Sequence, residues 1–182
     1  HGLDAIASTD GDADRPMLTD EKGQVIQGDV LGVITSQVLD AKTIVTPVSS
    51  NDMVRRCPEF DHVSLTKIGS PFVIAEMEKF DDPSARCIGF EANGGYLLGF
   101  DAMLAGPLPT LQTRDCMLPI LAALLKANLA KQPLSHVVAA LPACFTSAGR
   151  LQDINREIAA VFLHRLTEDS AARTDFFHSI GV

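Results

Sequence analysis

The sequence predicts an α/β fold: a small mixed β-sheet flanked by helices, joined to the tail end of a preceding similar domain. Two observations carry this. Short apolar and β-branched runs alternate with segments of helical periodicity along most of the chain. Hydrophobic residues make up 46% and charged residues 21% of the 182, a globular composition able to bury a core.

In order, Leu3–Ser8 is short, apolar and alternating, and reads as a buried strand. Residues 10–16, DGDADRP, are too polar and turn-rich for regular structure. MLTDEKGQVI reads as a hairpin with Lys22-Gly23 at its turn. Between Gly28 and Leu39 the apolar residues Val30, Leu31, Ile34 and Val38 fall at helical spacing. Thr43–Val48 is β-branched and strand-like, with Ser49-Ser50-Asn51 placed to cap a following helix. His62–Leu65 is a further short strand. Phe72–Phe80 is helical, with Pro71 at its first turn. Arg86–Phe90 and Tyr96–Leu98 read as strands around a Glu-Ala-Asn-Gly-Gly turn. Asp115 caps a long apolar helix, Met117–Ala130, and helices follow near Leu134–Leu141 and Leu151–Leu166.

The composition excludes some functions. Fifteen Lys and Arg against 23 Asp and Glu leave a net charge of -8, which repels nucleic acid and anionic lipid. Lys126 interrupts the longest apolar run before the ~18 residues a membrane helix needs. The four cysteines, Cys57, Cys87, Cys116 and Cys144, form no C-x-x-C pair, and they read as buried free thiols rather than zinc ligands. The opening residues lack the basic and apolar regions of a signal peptide, so a cytoplasmic location is expected. The chain starts almost inside a strand and ends in the apolar phrase Phe176, Phe177, Ile180 and Val182, which reads as a piece of a larger protein.

Two loops carry chemistry. Asp10, Asp12 and Asp14 alternate directly after a strand. Carboxylates this close repel one another and raise each other's pKa, a cost that a divalent cation would offset. Oxygen donors without His or Cys select Mg²⁺, Ca²⁺ or Mn²⁺. The plain alternative is an exposed acidic turn. An EF-hand is disfavoured because Arg15 stands where that loop needs Gly. Arg15 beside a cation site suggests an anion between them, phosphate above all; the plain alternative is that it pairs with one of the aspartates. In the second loop, Glu91 and Asn93 lie two apart and suit vicinal hydroxyls, and Gly94-Gly95 allows close ligand approach; the ordinary hairpin is the alternative.

Together the loops resemble the α-D-phosphohexomutases, closest to the phosphomannomutase/phosphoglucomutase type. Ser8–Arg15, S-T-D-G-D-A-D-R, is similar to that family's metal loop. Gly89–Gly95, G-F-E-A-N-G-G, is similar to its sugar-specificity loop, usually G-E-M-S-G-H. T-P-V-S-S-N (Thr46–Asn51), T-K-I-G (Thr66–Gly69) and the segment from Arg114-Asp115-Cys116 to Ala123 match as well. The resemblance implies a four-domain, Mg²⁺-dependent isomerase that interconverts hexose 1- and 6-phosphates of mannose or glucose. It works through a phosphoserine and a bisphosphate intermediate. Asp10, Asp12 and Asp14 would hold the metal, and Arg15, Lys67, Glu91, Asn93 and Gly94 would meet the hexose phosphate. Three positions depart from the pattern: Gly95 and Ser70 stand where relatives carry His, and Ser49 where some carry Lys.

Neither a T-A-S-H-N phosphoserine loop nor an R-P-S-x-T/N phosphate clamp occurs in the sequence. The resemblance therefore divides the chain into the end of a second domain (1–28), a third domain (29–145) and a helical lead towards a fourth (146–182). On this reading no catalytic residue lies in the chain, turnover by these residues alone is not expected, and residues 1–28 should pack poorly. The competing reading is a non-catalytic α/β module that binds sugar phosphate or metal.

Overall fold

The computed structural model describes residues 2–147, 149 and 152–181. They form two compact units, residues 1–145 and 146–182. The first is built on a five-stranded mixed sheet. Strand β4 (Thr43–Pro47) lies one in from an edge and runs parallel to the edge strand β5 (His62–Thr66) on one side and to β6 (Cys87–Phe90) on the other. Beyond β6, β7 (Tyr96–Leu98) and β10 (Leu111–Asp115) add antiparallel strands, giving the order β10-β7-β6-β4-β5. All five residues of β4 are buried, as a strand covered on both faces requires.

The period-2 alternation of the strands divides the core. Ile44, Ile88, Phe90, Tyr96 and Leu98 face α1 (Gly28–Val38) and α3 (Met117–Ala130). Val45, Cys87 and Leu97 face the opposite way, against Val73 and Met77 of α2 (Ser70–Met77). Gly89 lets α2 lie close: a Cβ there would stand 2.6 Å from the Met77 sulfur. The result is a helix–sheet–helix sandwich, the fold class read from the sequence.

Most predicted helices and strands form near their expected places, but α2 runs from Ser70 to Met77 rather than from Phe72 to Phe80, and the helix expected near Leu151–Leu166 begins at Arg156. Asp115 accepts the amides of Met117 (2.7 Å) and Leu118 (3.3 Å) at the start of α3. Asn51 caps only a single 3₁₀ turn, Asp52–Arg56, by accepting the Met53 amide at 2.9 Å. Short strands at β8 (Ala102–Met103) and β9 (Pro107–Leu108), and the polar β10, carry too few apolar residues to show in the pattern.

Two expectations about the first segment are corrected. The first strand, β1, spans Ile6–Thr9 rather than Leu3–Ser8, and all of it is exposed, because it lies at the edge of a separate three-stranded sheet with only β2 (Pro16–Thr19) beside it. Residues 16–26 are not poorly packed. Leu18 of β2 is fully buried, and Ile26 of β3 (Val25–Ile26) joins it in the core that α1 and α3 complete. Their hairpin turn is held by Asp20, whose carboxylate accepts the amides of Lys22 and Gln24, both at 2.9 Å. The apolar side of this hairpin has a ready partner in α3, which accounts for its order. A short helix, α4 (Leu134–Ala139), follows α3 and buries Leu134 and Val137.

The second unit is a pair of helices, α5 (Arg156–Glu168) and α6 (Ser170–Ser179), capped by Asn155 and Asp169. Leu151, where the first was expected to begin, lies outside the described residues. Phe162 and Phe176 join the pair edge-to-face at 5.2 Å between ring centroids. No described helix is long and apolar enough to cross a membrane.

Candidate functional site

The aspartate loop is the β1–β2 turn. Ala13 at φ 56° closes it, and its tip is fastened by Asp10, whose Oδ1 accepts the amides of Asp14 (3.3 Å) and Arg15 (3.2 Å). The three aspartates each bring one oxygen within 4.8 Å of the others. Asp10 Oδ2 is buried and has no hydrogen-bond donor of acceptable geometry, although Arg15 Nε lies against it. A cation would reach that oxygen only in place of Arg15, and a set of three carboxylates suits a hard ion such as Mg²⁺.

Arg15 lies over this cluster, with Nε in contact with Asp10 and 3.3 Å from Asp14, and Nη2 3.9 Å from Asp12. It holds the place that a cation would take. The expected mutual rise in carboxylate pKa does not appear at Asp10. Desolvation, the largest single influence, pushes it up, but the Arg15 amide, Asp12, the Arg15 charge and the Asp14 amide together hold it below the usual range. Arg15 in turn is raised, chiefly by the Asp10 charge.

The second loop is the β6–β7 turn. Glu91 and Gly95 frame it, with the Glu91 amide donating to the Gly95 carbonyl at 3.1 Å and the Gly94 amide to the Glu91 carbonyl at 2.9 Å. Asn93 is exposed, and its Oδ1 accepts the Gly95 amide at 3.0 Å. Gly94 has φ 90°, and a Cβ on it would meet Pro16 Cγ at 2.7 Å, so the loop packs directly on the start of β2. Thr46 fastens the end of β6 by donating to the Phe90 carbonyl at 2.8 Å. Glu91 itself is buried, with Ser70 Oγ donating to its Oε2 at 3.2 Å. Lys67 stands apart, exposed on the loop before α2, with its Nζ 5.7 Å from the centre of the Phe72 ring.

The two loops face each other, and Arg114 joins them. Its Nη2 pairs with Asp14 Oδ2 and its Nη1 lies 3.7 Å from Glu91 Oε2. Sequence reasoning gave Arg114 no role, because it sits in a polar strand far along the chain from both partners. The available signal was Gly95: a Cβ there would stand 2.7 Å from Arg114 Cδ, so the side-chain space at position 95 is filled by Arg114. Ser70, noted from the sequence only as a departure, is likewise a partner of Glu91. A concavity of about 800 Å³ lies elsewhere, between Glu21 and the α3–α4 connection, and includes none of these groups.

Residues 27–145 match the family model "Phosphoglucomutase/phosphomannomutase, alpha/beta/alpha domain III". A phosphomannomutase of Sinorhizobium fredii is 43% identical over 181 residues, covering 98% of this chain and 38% of that protein. A phosphomannomutase of Salmonella muenchen is 42% identical, covering 98% and 37%. The crystal structure of a phosphoglucomutase/phosphomannomutase family protein from Burkholderia thailandensis shares the fold, with a TM-score of 0.59 at 19% identity over 81% of this chain and 31% of that one. The chain thus spans well under half the length of the relatives it matches. With the domain model matched over residues 27–145 and relatives 42–43% identical over 98% of its length, the chain belongs to the phosphoglucomutase/phosphomannomutase family.

Proposed function

We propose that these residues form the metal- and sugar-recognising part of a phosphohexomutase that interconverts hexose 1- and 6-phosphates, mannose phosphates foremost. Residues 1–28 would end a second domain, 29–145 form the third and 146–182 lead towards a fourth. The observation that carries this reading is that one guanidinium, Arg114, links the aspartate loop and the Glu91 loop, so both face one space.

Asp10, Asp12 and Asp14 would hold Mg²⁺, with Asp10 Oδ2 meeting it once Arg15 has moved away. When bound, the ion supplies positive charge against phosphoryl oxygens. Arg15 would leave the aspartates and grip phosphate with its fork of donors. Glu91, held by Ser70, would accept hydroxyls of the sugar, with Asn93 at the exposed rim and Gly94 permitting close approach. Lys67 would meet the substrate only if its loop turned inward. The phosphate donor, a phosphoserine, would come from outside these 182 residues, and a bisphosphate would connect the two half-reactions. Phosphoryl transfer depends on positioning and charge stabilisation, so these residues alone would not turn over. We place the protein in the cytoplasm, where hexose phosphates are made and used.

The test is a coupled assay from mannose 1-phosphate to the 6-phosphate, primed with glucose 1,6-bisphosphate. A chain of the relatives' length that contains these residues should turn over, and the 182-residue chain should not. In the longer chain Glu91→Ala should cost about 1–3 kcal/mol in kcat/KM while Mg²⁺ binding persists. Turnover by the 182 residues alone, or an unaffected Glu91→Ala, would overturn the assignment. Binding of sugar phosphate by the longer chain without turnover would leave the non-catalytic module as the reading.

A further inference from the structure

We propose that Arg114 is a tie shared between the aspartate loop and the sugar loop, and that cation binding at the aspartates shifts it off Asp14 and onto Glu91. This rests on the reading that Asp10, Asp12 and Asp14 hold Mg²⁺.

Three observations carry it. Arg114 faces two carboxylates at once, Asp14 through Nη2 and Glu91 through Nη1. A planar fork can reach two acceptors in different directions, which a lysine ammonium on its stem does less well. The two pairings are unequal. Arg114 is in ion-pair contact with Asp14, whereas its 3.7 Å separation from Glu91 Oε2 leaves room to close.

The position of Arg114 is also prepared by the fold. Its Cγ and Cδ would lie 3.1 and 2.7 Å from a Cβ at residue 95, so the guanidinium reaches both loops only because residue 95 has no side chain. The stem therefore crosses the sugar loop itself, and any displacement of Arg114 is felt there.

The direction follows from charge. Without a cation, Arg15 and Arg114 are the positive charges on the aspartate loop. A divalent ion on Asp14 repels a guanidinium a few ångströms away and competes for the same carboxylate. Glu91 is then the acceptor left to Arg114 within reach. It is buried, and besides Arg114 its side chain has only the Ser70 hydroxyl as a partner among the described residues, so it gains most from a closer cation. Metal occupancy would in this way set how firmly the sugar-reading carboxylate is held before any sugar arrives.

The test is a Mg²⁺ titration of the ¹⁵N-labelled 182-residue chain followed by amide shifts, with no substrate present. Wild type should shift at residues 10–15 and at 91–95 with one common midpoint. In Arg114→Gln the 10–15 amides should still shift, at about two- to fivefold lower Mg²⁺ because a competing cation is gone, and 91–95 should fall silent. Gly95→Ala keeps the charge but pushes the Arg114 stem aside; it should weaken the 91–95 response, and it carries the test if Arg114→Gln fails to fold. Shifts at 10–15 with silence at 91–95 in the wild type would overturn the tie alone. Silence at 10–15 as well would overturn the metal reading and the tie together. A 91–95 response in Arg114→Gln or Gly95→Ala equal to the wild type's would also overturn it.

Discussion

Gly28 and Gly94 touch backbone to backbone: the first residue of α1 lies against the tip of the sugar loop. A Cβ on Gly28 would stand 2.5 Å from the Asn93 carbonyl carbon and 2.7 Å from the Ala92 oxygen, and closer still to the Gly94 amide nitrogen. Backbone cannot swing away as a side-chain end can. Gly28→Ala should therefore displace the 91–95 loop and lower stability by about 1–3 kcal/mol. Urea unfolding reads the stability. Exchange of the Gly94 amide, whose acceptor is the Glu91 carbonyl, reads the loop.

Leu18 tests whether the hairpin after the aspartate loop is part of the core. It is fully buried beside Ile26 and the residues of α1 and α3. Leu18→Ala should cost about 2–5 kcal/mol in urea unfolding, the range for a buried leucine. A loss within about 0.5 kcal/mol, the size typical of surface changes, would mean that the hairpin is not docked.

Asp29 gives a pH dependence. Its carboxylate is buried and accepts the Val30 amide at 2.9 Å and the Asn51 amide at 2.8 Å. Desolvation is the dominant influence and raises its pKa above 3.8, despite those hydrogen bonds. The folded state therefore holds the proton more tightly than the unfolded one. Stability from this group is fully present below the unfolded value and is lost as pH rises through the folded value. The stability of wild type minus that of Asp29→Asn, by urea unfolding, should shrink as pH rises from 4 towards 7. A difference that grows with pH would contradict the placement.

The cysteines should differ in reactivity. All four are free. Burial pushes the Cys57 thiol up to about 11 and the Cys87 thiol up to about 12, and it raises Cys116 as well. Cys144 is only half-buried, and its carbonyl accepts the Asn51 side chain at 2.9 Å. Iodoacetamide at pH 7.5, followed by peptide mass mapping, should label Cys144 at least about tenfold faster than the other three, since thiolate fraction and access both limit the rate. Even labelling would show that the sheet and the α3 N-terminus open readily.

Much of this protein could be read without coordinates. The helices at 28–38, 70–77 and 117–130 follow from apolar periodicity with Pro71 and Asp115 at their starts, and strand β4 from its β-branched run. These are local properties: side-chain spacing and caps act within a few residues. The spacing of Asp10, Asp12 and Asp14 was equally local, and it pointed to a hard cation before any fold was known. The pairing of charges was not local. Arg15 lies over the aspartates, Ser70 holds Glu91, and Arg114 reaches across Gly95 to both loops. None of these follows from spacing, because the antiparallel pairing of β7 with β10 decides which distant residue stands beside the sugar loop. Nor could the pattern show that β1 would be exposed while β2 is buried, since both are short and apolar and only α3, packed on one side, tells them apart. The chain's own letters determine which groups can do chemistry here; the sheet decides which charge each of them meets, because Coulomb energy depends on separation in space and not along the sequence.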